Sequence, residues 1–95
     1  MPSIKIVRTI AQTLKLLGDP SRLRIVYALA DEREVNVTAL ARKLRLSQPT
    51  VSRHLSILRM SGLAENRRSG KEIFYALVPN RKRSIKALLA RLETL

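Results

Sequence analysis

The chain has 95 residues, with 45% hydrophobic but only 3% aromatic side chains; this bounds it to one domain with a small aliphatic core and argues against binding single strands by stacking on exposed rings. It has no cysteine, so disulfides, thiolate metal sites and thiol redox sensing are excluded. Nineteen basic residues against seven acidic ones give a net charge of +12, which points to a polyanionic partner and away from an ordinary enzyme.

The longest apolar runs are too short to span a bilayer, and the N-terminus lacks a continuous apolar stretch of the kind a secretory signal needs. A cytoplasmic location is therefore expected, with no membrane partner. No internal repeat or low-complexity segment interrupts the chain. A first helix is expected from Ser3 to Leu17, with Ile6 or Val7, Ile10, Leu14 and Leu17 on its apolar side. Gly18-Asp19-Pro20 ends it, and Asp19 or Ser21 caps a second helix from about Pro20 to Ala30. Leu23, Ile25, Val26, Tyr27, Leu29 and Ala30 make that helix apolar over most of its girth. Such a helix lies at the centre of a core, or alternatively lines a ligand site. Glu34-Val35-Asn36-Val37 alternates and can add one stub of strand.

Thr38 to Gly62 reads as two helices joined by a tight turn. The first runs from about Thr38, its expected N-cap, to Leu44, with Leu40 and Leu44 on one face. Leu46 plugs the angle between the helices, Ser47 caps the second, and Pro49 fits its first turn. Val51, Leu55 and Leu58 form the buried stripe of the second helix. Its other side shows Gln48, Pro49, Thr50, Ser52, Arg53 and Ser56, and no acidic residue occurs from Gln48 to Met60. A solvated helix would carry Glu and Lys there. Short polar groups around one long cation suit a helix lying in a DNA major groove, where arginine reads guanine or holds a phosphate and glutamine reads adenine. An ordinary helical hairpin within a core is the alternative reading.

Leu63 to Arg68 and Glu72 to Val78 read as two strands turned by Ser69-Gly70-Lys71, with Ile73, Tyr75 and Leu77 facing one way. The basic tip of Arg67, Arg68 and Lys71 either touches phosphate or the minor groove, or is a charged edge that resists aggregation. Asn80 is the expected cap of a last helix from about Arg81 to Leu95, striped by Ile85, Leu88, Leu89, Leu92 and Leu95. Two terminal helices with apolar stripes exceed what so small a core needs. They form a dimer face or cap the monomer's own core. From Thr38 to Arg83 eleven cations face only Glu65 and Glu72, so the charge concentrates on the helix pair and the hairpin.

Helix, helix, short strand, helix-turn-helix, hairpin and helix is a winged-helix order, and the chain resembles the ArsR/SmtB family of bacterial and archaeal repressors. The residues that carry the resemblance are Leu16-Leu17-Gly18-Asp19-Pro20-Ser21-Arg22-Leu23-Arg24-Ile25, then Leu46 through Leu55, then Leu58, Ser61-Gly62-Leu63, and Arg67-Arg68-Ser69-Gly70-Lys71-Glu72-Ile73-Phe74-Tyr75-Ala76-Leu77. The resemblance implies a mainly α fold with a small β-hairpin. Residues 1–95 would form one winged helix-turn-helix domain, with 1–18 and 80–95 as dimerisation helices, 38–61 as the helix-turn-helix and 63–78 as the wing. It implies a homodimer, with Ile6, Ile10, Leu14, Ile85, Leu88, Leu89 and Leu92 at the interface, that represses transcription from an inverted-repeat operator. Two recognition helices would enter major grooves roughly 34 Å apart. On this reading Gln48, Thr50, Ser52 and Arg53 face bases, while Arg42, Lys43, Ser47, Ser56, Arg67, Arg68 and Lys71 hold backbone.

The chain departs from the family where many members sense metal. Asn36 and Thr38 stand where the cysteines of the family's "ELCVCDL" stretch would be, and the last helix offers Glu93 and no histidine. No metal or other cofactor is therefore expected, and any effector or partner protein is open. A nickel-type site built from Asp19, Asp31, Glu32, Glu34 or Glu93 is one alternative; a general basic nucleic-acid or RNA-binding role is another. His54, the only histidine, packs against the turn, contacts phosphate or polarises a hydroxyl. With no acid pair, no histidine–nucleophile pair and no glycine-rich phosphate loop, catalysis is not expected.

Overall fold

The computed structural model describes residues 1–95 in the order α1 (Ile4–Leu17), α2 (Pro20–Asp31), β1 (Val35–Asn36), α3 (Val37–Leu44), α4 (Gln48–Met60), β2 (Ala64–Ser69), β3 (Glu72–Leu77) and α5 (Pro79–Leu92). The second helix is the hub. Asp19 caps it by accepting the Arg22 amide at 2.8 Å, and Pro20 occupies its first turn, where the missing N–H costs nothing. Ile25, Val26 and Leu29 are wholly buried, and α2 touches α1, α3, α4, α5 and β3. Most of its apolar girth is thus spent on the core. Leu40 from α3 and Val51, Leu55 and Leu58 from α4 complete the dry centre.

The hairpin of β2 and β3 is joined by β1 into a three-stranded antiparallel sheet ordered β1-β3-β2, β1 being the strand stub expected within Glu34 to Val37. Val35 pairs with Tyr75 and Asn36 with Phe74. Gly70, at φ 62°, supplies the left-handed residue that a two-residue turn between Ser69 and Glu72 requires. Tyr75 and Leu77 are buried against the helices and Ile73 half-buried, as the alternation predicts.

Two helix starts differ from expectation. Asn36, not Thr38, caps α3, its side-chain oxygen accepting the Ala39 amide at 3.0 Å. Pairing with Phe74 holds Asn36 extended just before the helix, which is the conformation a cap needs. The last helix begins at Pro79 rather than after Asn80, because proline's fixed φ already suits a first helical position. No side chain caps it, and it ends at Leu92.

The terminal helices divide their apolar stripes differently. In α1 only Leu17 is buried; Ile4, Ile6, Val7, Ile10 and Leu14 are 42–67% exposed. The radius of gyration is 13.7 Å, against about 12.4 Å for a compact chain of this length, consistent with α1 standing off the body. In α5, by contrast, Ile85 and Leu89 are buried in the monomer's own core, Leu88 is half-buried and Leu92 is exposed. Ile85 and Leu89, expected at an interface, therefore serve intramolecular packing. No helix is long and apolar enough to cross a membrane.

Gly62, at φ 84°, ends α4 and lets Leu63 turn into the core with its amide on the Leu58 carbonyl at 3.0 Å. A Cβ there would meet nothing within 4 Å, so the cost of Gly62→Ala is backbone strain alone. It is expected to destabilise by about 1–2 kcal/mol in urea unfolding. A second alanine change, Leu58→Ala, removes wholly buried atoms and should cost more, about 2–5 kcal/mol.

Candidate nucleic-acid interface

The helix pair is fixed at both ends by local chemistry. Arg45, in the left-handed region at φ 57°, closes α3, and the Leu46 amide reaches back to the Ala41 carbonyl at 3.0 Å. Leu46 is half-buried on the core, which sets the turn angle as expected. Ser47 then caps α4: its Oγ accepts the Thr50 amide at 3.2 Å and donates to Thr50 Oγ1 at 2.8 Å. Both hydroxyls are engaged by the cap, so Ser47 and Thr50 present one another before they present themselves to a ligand.

With Val51, His54, Leu55 and Leu58 buried, the opposite side of α4 is displayed. Pro49, Arg53 and Met60 are exposed and Ser56 half-buried, at spacings of four, three and four along one outer row. Gln48, Ser52 and Ser56, four apart, form a second row toward the hairpin. They line one wall of a cleft of about 410 Å³ whose other wall carries Lys71, Glu72, Ile73 and Tyr75. Arg53 makes no hydrogen bond or ion pair within the chain and stands on the outermost ridge. Gln48 is not free: its amide nitrogen donates to Thr38 Oγ1 on α3. Met60, which is 82% exposed, belongs to the outer row although only its charged and polar neighbours are expected there. The four–three–four spacing from Pro49 is the signal that finds it.

The hairpin separates two arginines that the sequence treats alike. Arg67 pairs across the strands with Phe74 and Arg68 with Ile73, so the two side chains leave opposite faces. Arg68 shares the face of Ile73 and Tyr75, which is the cleft side. Arg67 lies on the outer face, where Glu34 accepts its Nε at 2.9 Å and a second guanidinium N–H, and where its guanidinium stacks 4.6 Å from the Phe74 centroid. The ion pair holds the Glu34 carboxyl below the usual carboxylate range. Arg67 is therefore a clasp between the hairpin and Glu34, the residue just before β1, occupied before any ligand arrives. Lys43 sits 3.8 Å from Glu32 in an exposed pair worth little. Arg42 has no ion-pair partner and lines a second hollow with Asn36, Thr38 and Phe74.

His54 is 8% exposed and faces inward. Its Nδ1 lies 3.3 Å from Arg22 Nη1 and its Nε2 3.8 Å from Asp19 Oδ2. Arg22 also donates to the Leu16 carbonyl at 2.7 Å. The histidine thus packs α4 against the α1–α2 turn rather than against the turn between α3 and α4. A guanidinium donor at Nδ1 places the neutral ring's proton on Nε2, toward Asp19. Burial, aided by Arg22 and Arg53 and opposed by Asp19, lowers its pKa from 6.5. The unfolded chain therefore takes up the proton first as pH falls. Stability from this site is full above about pH 6.5 and is lost as pH drops through the folded pKa. Urea unfolding from pH 8 to 5 should show that decline, and His54→Gln should flatten it. An unchanged slope in the variant would assign the decline to other groups.

Four of the seven carboxylates have separate partners: Asp19 caps α2, Glu34 holds Arg67, Glu32 lies beside Lys43, and Glu93 accepts Tyr27 Oη at 2.6 Å. No three histidine, aspartate or glutamate side chains gather in a group that could hold a metal ion. Sequence reasoning missed the Thr38–Gln48 and Glu34–Arg67 contacts. They join residues 10 and 33 positions apart, and no helical or strand period connects them.

The model of the arsR family of bacterial regulatory proteins matches residues 19–66. An uncharacterized HTH-type transcriptional regulator of Methanocaldococcus jannaschii is 37% identical over 86% of this chain and 92% of its own. The arsenical resistance operon repressor of Escherichia coli is 45% identical over 73% of this chain, which spans only 59% of that protein. A homodimeric winged helix-turn-helix DNA-binding domain from Mycobacterium bovis superposes with a TM-score of 0.83 at 26% identity, over 95% of this chain and 83% of that domain.

Proposed function

We propose that this chain, which belongs to the arsR family of bacterial regulatory proteins and has their winged helix-turn-helix, represses transcription as a homodimer on an inverted-repeat operator. The observation that carries the proposal is the outer face of α4. It bears Gln48, Ser52, Arg53 and Ser56, has no acidic residue, and is flanked by the cations of α3 and the hairpin. A face so built approaches a base edge closely, and the one carboxylate lining the cleft, Glu72, stands on the wing beside Lys71.

Within this reading Gln48, Ser52 and Arg53 meet bases, with Thr50 held behind them by its cap. Arg42 and Lys71, which line the two hollows, and Arg68, on the Ile73 face of the hairpin, are the cations for phosphate, and Ser56 lines the cleft between helix and wing. Arg67 contributes after leaving Glu34, and Lys43 after leaving Glu32. The dimer forms through Ile6, Ile10 and Leu14 of α1, joined by Leu88 and Leu92 of α5. Repression follows if the bound dimer occludes polymerase. The family's thiolate positions hold Asn36 and Thr38, one a helix cap and the other a partner of Gln48, so control by a thiophilic metal is not part of the proposal.

Fluorescence anisotropy on the duplex upstream of the gene, beside a scrambled duplex, tests this across a salt series. Binding to the native duplex should outlast binding to the scrambled one as salt rises, because phosphate contacts weaken with salt and base contacts persist. Equal affinities that collapse together would instead mean a general basic nucleic-acid-binding protein. Isothermal titration with nickel and other divalent ions tests the carboxylate alternative; heat together with a changed operator affinity would put the repressor under metal control.

A further inference from the structure

Thr38 has lost the role its sequence position suggests, since Asn36 caps α3. Its hydroxyl is used elsewhere: it accepts a hydrogen bond from the amide nitrogen of Gln48, at the first position of α4. Both residues line the cleft between α4 and the wing, on the side of Ser52 and Ser56. An exposed glutamine is ordinarily a flexible side chain whose amide rotates freely, so its oxygen and nitrogen are interchangeable as seen by a base. Here one N–H is tied to α3. What remains for a ligand is one carbonyl oxygen and one N–H, side by side and in a fixed order.

That pair is complementary to one base edge. Adenine offers an N6 amino donor and an N7 acceptor in the major groove, whereas guanine offers two acceptors. We infer that Thr38 is a positioning residue for specificity. It never touches DNA, but it fixes the Gln48 amide so that one base pair in each half-site is read as adenine. The inference rests on the proposed groove-facing role of α4 and adds the identity of the base together with the residue that imposes it.

The test uses the full chain and a pool of duplexes randomised over the binding site, selected and sequenced for each variant, followed by affinities on the selected duplex and its single-base changes. Wild type should prefer adenine at one position per half-site by roughly 5- to 150-fold, the range for a bidentate contact. Gln48→Ala should abolish that preference. Thr38→Val keeps the shape but removes the hydroxyl; it should reduce the preference several-fold while leaving thermal unfolding and affinity for scrambled DNA unchanged. Thr38→Ser, which restores the acceptor, should restore the preference. If Gln48→Ala leaves all base preferences intact, the groove-facing reading of α4 fails. If Gln48→Ala removes the preference but Thr38→Val does not, the reading of α4 stands and the role of Thr38 is overturned. A wild-type preference for guanine at the Gln48 position would also overturn it, since that requires the amide to present donors alone.

Discussion

Ile10→Glu is expected to convert the proposed dimer to monomers in sedimentation equilibrium and to reduce affinity for the proposed operator by roughly 100-fold or more. A helix of 14 residues such as α1 is marginal alone in water, and this one anchors to its own body mainly through Leu17 and the half-buried Leu16. Its apolar side, from Ile4 to Leu14, is therefore open in the monomer. A second copy would cover it in a two-fold interface, where each substitution counts twice. A carboxylate in that apolar seam would be desolvated, which costs free energy that the isoleucine it replaces does not. Loss of the dimer removes the second half-site contact, whose effective concentration is worth about 100- to 10,000-fold. Because Ile10 is 51% exposed in the monomer, the core should survive, and circular dichroism should change only by fraying of α1. Salt provides an internal check of opposite sign. Each protomer carries +12, so added salt should tighten the dimer by screening repulsion while it weakens DNA binding. A variant that stays dimeric would move the interface off α1.

Much of this was legible in the chain because its elements are marked by local chemistry. Ser47 followed by Pro49 starts α4 without reference to anything distant, and Gly62 ends it. Tyr75 and Leu77 alternate into the core as any half-buried strand would. The readings that moved all depend on long-range partners. Asn36 and Thr38 are both competent caps, and the choice between them is made by Phe74, 38 residues from Asn36, through the pairing of β1 with β3. In α5 the stripe of Ile85, Leu88, Leu89 and Leu92 is too wide to reveal which half meets the body. The approach of α5 to α2, fixed by the Tyr27 bond to Glu93 and the Lys82 bond to the Glu32 carbonyl, buries Ile85 and Leu89 and leaves Leu92 outside. Arg67 and Arg68 look equivalent until the pleat assigns one to Glu34 and the other to the opposite face, beside Ile73. The candidate site was therefore readable as a face, through the absence of acids on α4, but not as a set of roles. Which cation is free and which polar group is already engaged are properties of contacts between elements.

That distinction shapes the expectation for Arg53→Ala. Arg53 has no partner in the free protein, so removing its side chain leaves no buried group unsatisfied and costs the fold nearly nothing. Any loss on DNA is then a loss of the contact itself. A guanidinium set bidentate on guanine should be worth about 1–3 kcal/mol per half-site, and its removal should relax the preference at that base pair while scrambled duplex binds almost as before. Lys71→Ala, at the tip of the wing, should act differently. It should weaken native and scrambled duplexes by the same factor and reduce the slope of log affinity against log salt by about one per protomer. Measured together, the two variants separate a reading helix from a charged surface. If Arg53→Ala lost the same factor on both duplexes and lowered the salt slope as Lys71→Ala does, Arg53 would be a phosphate contact, and sequence reading would fall to the row of Gln48 and Ser52 beside the wing.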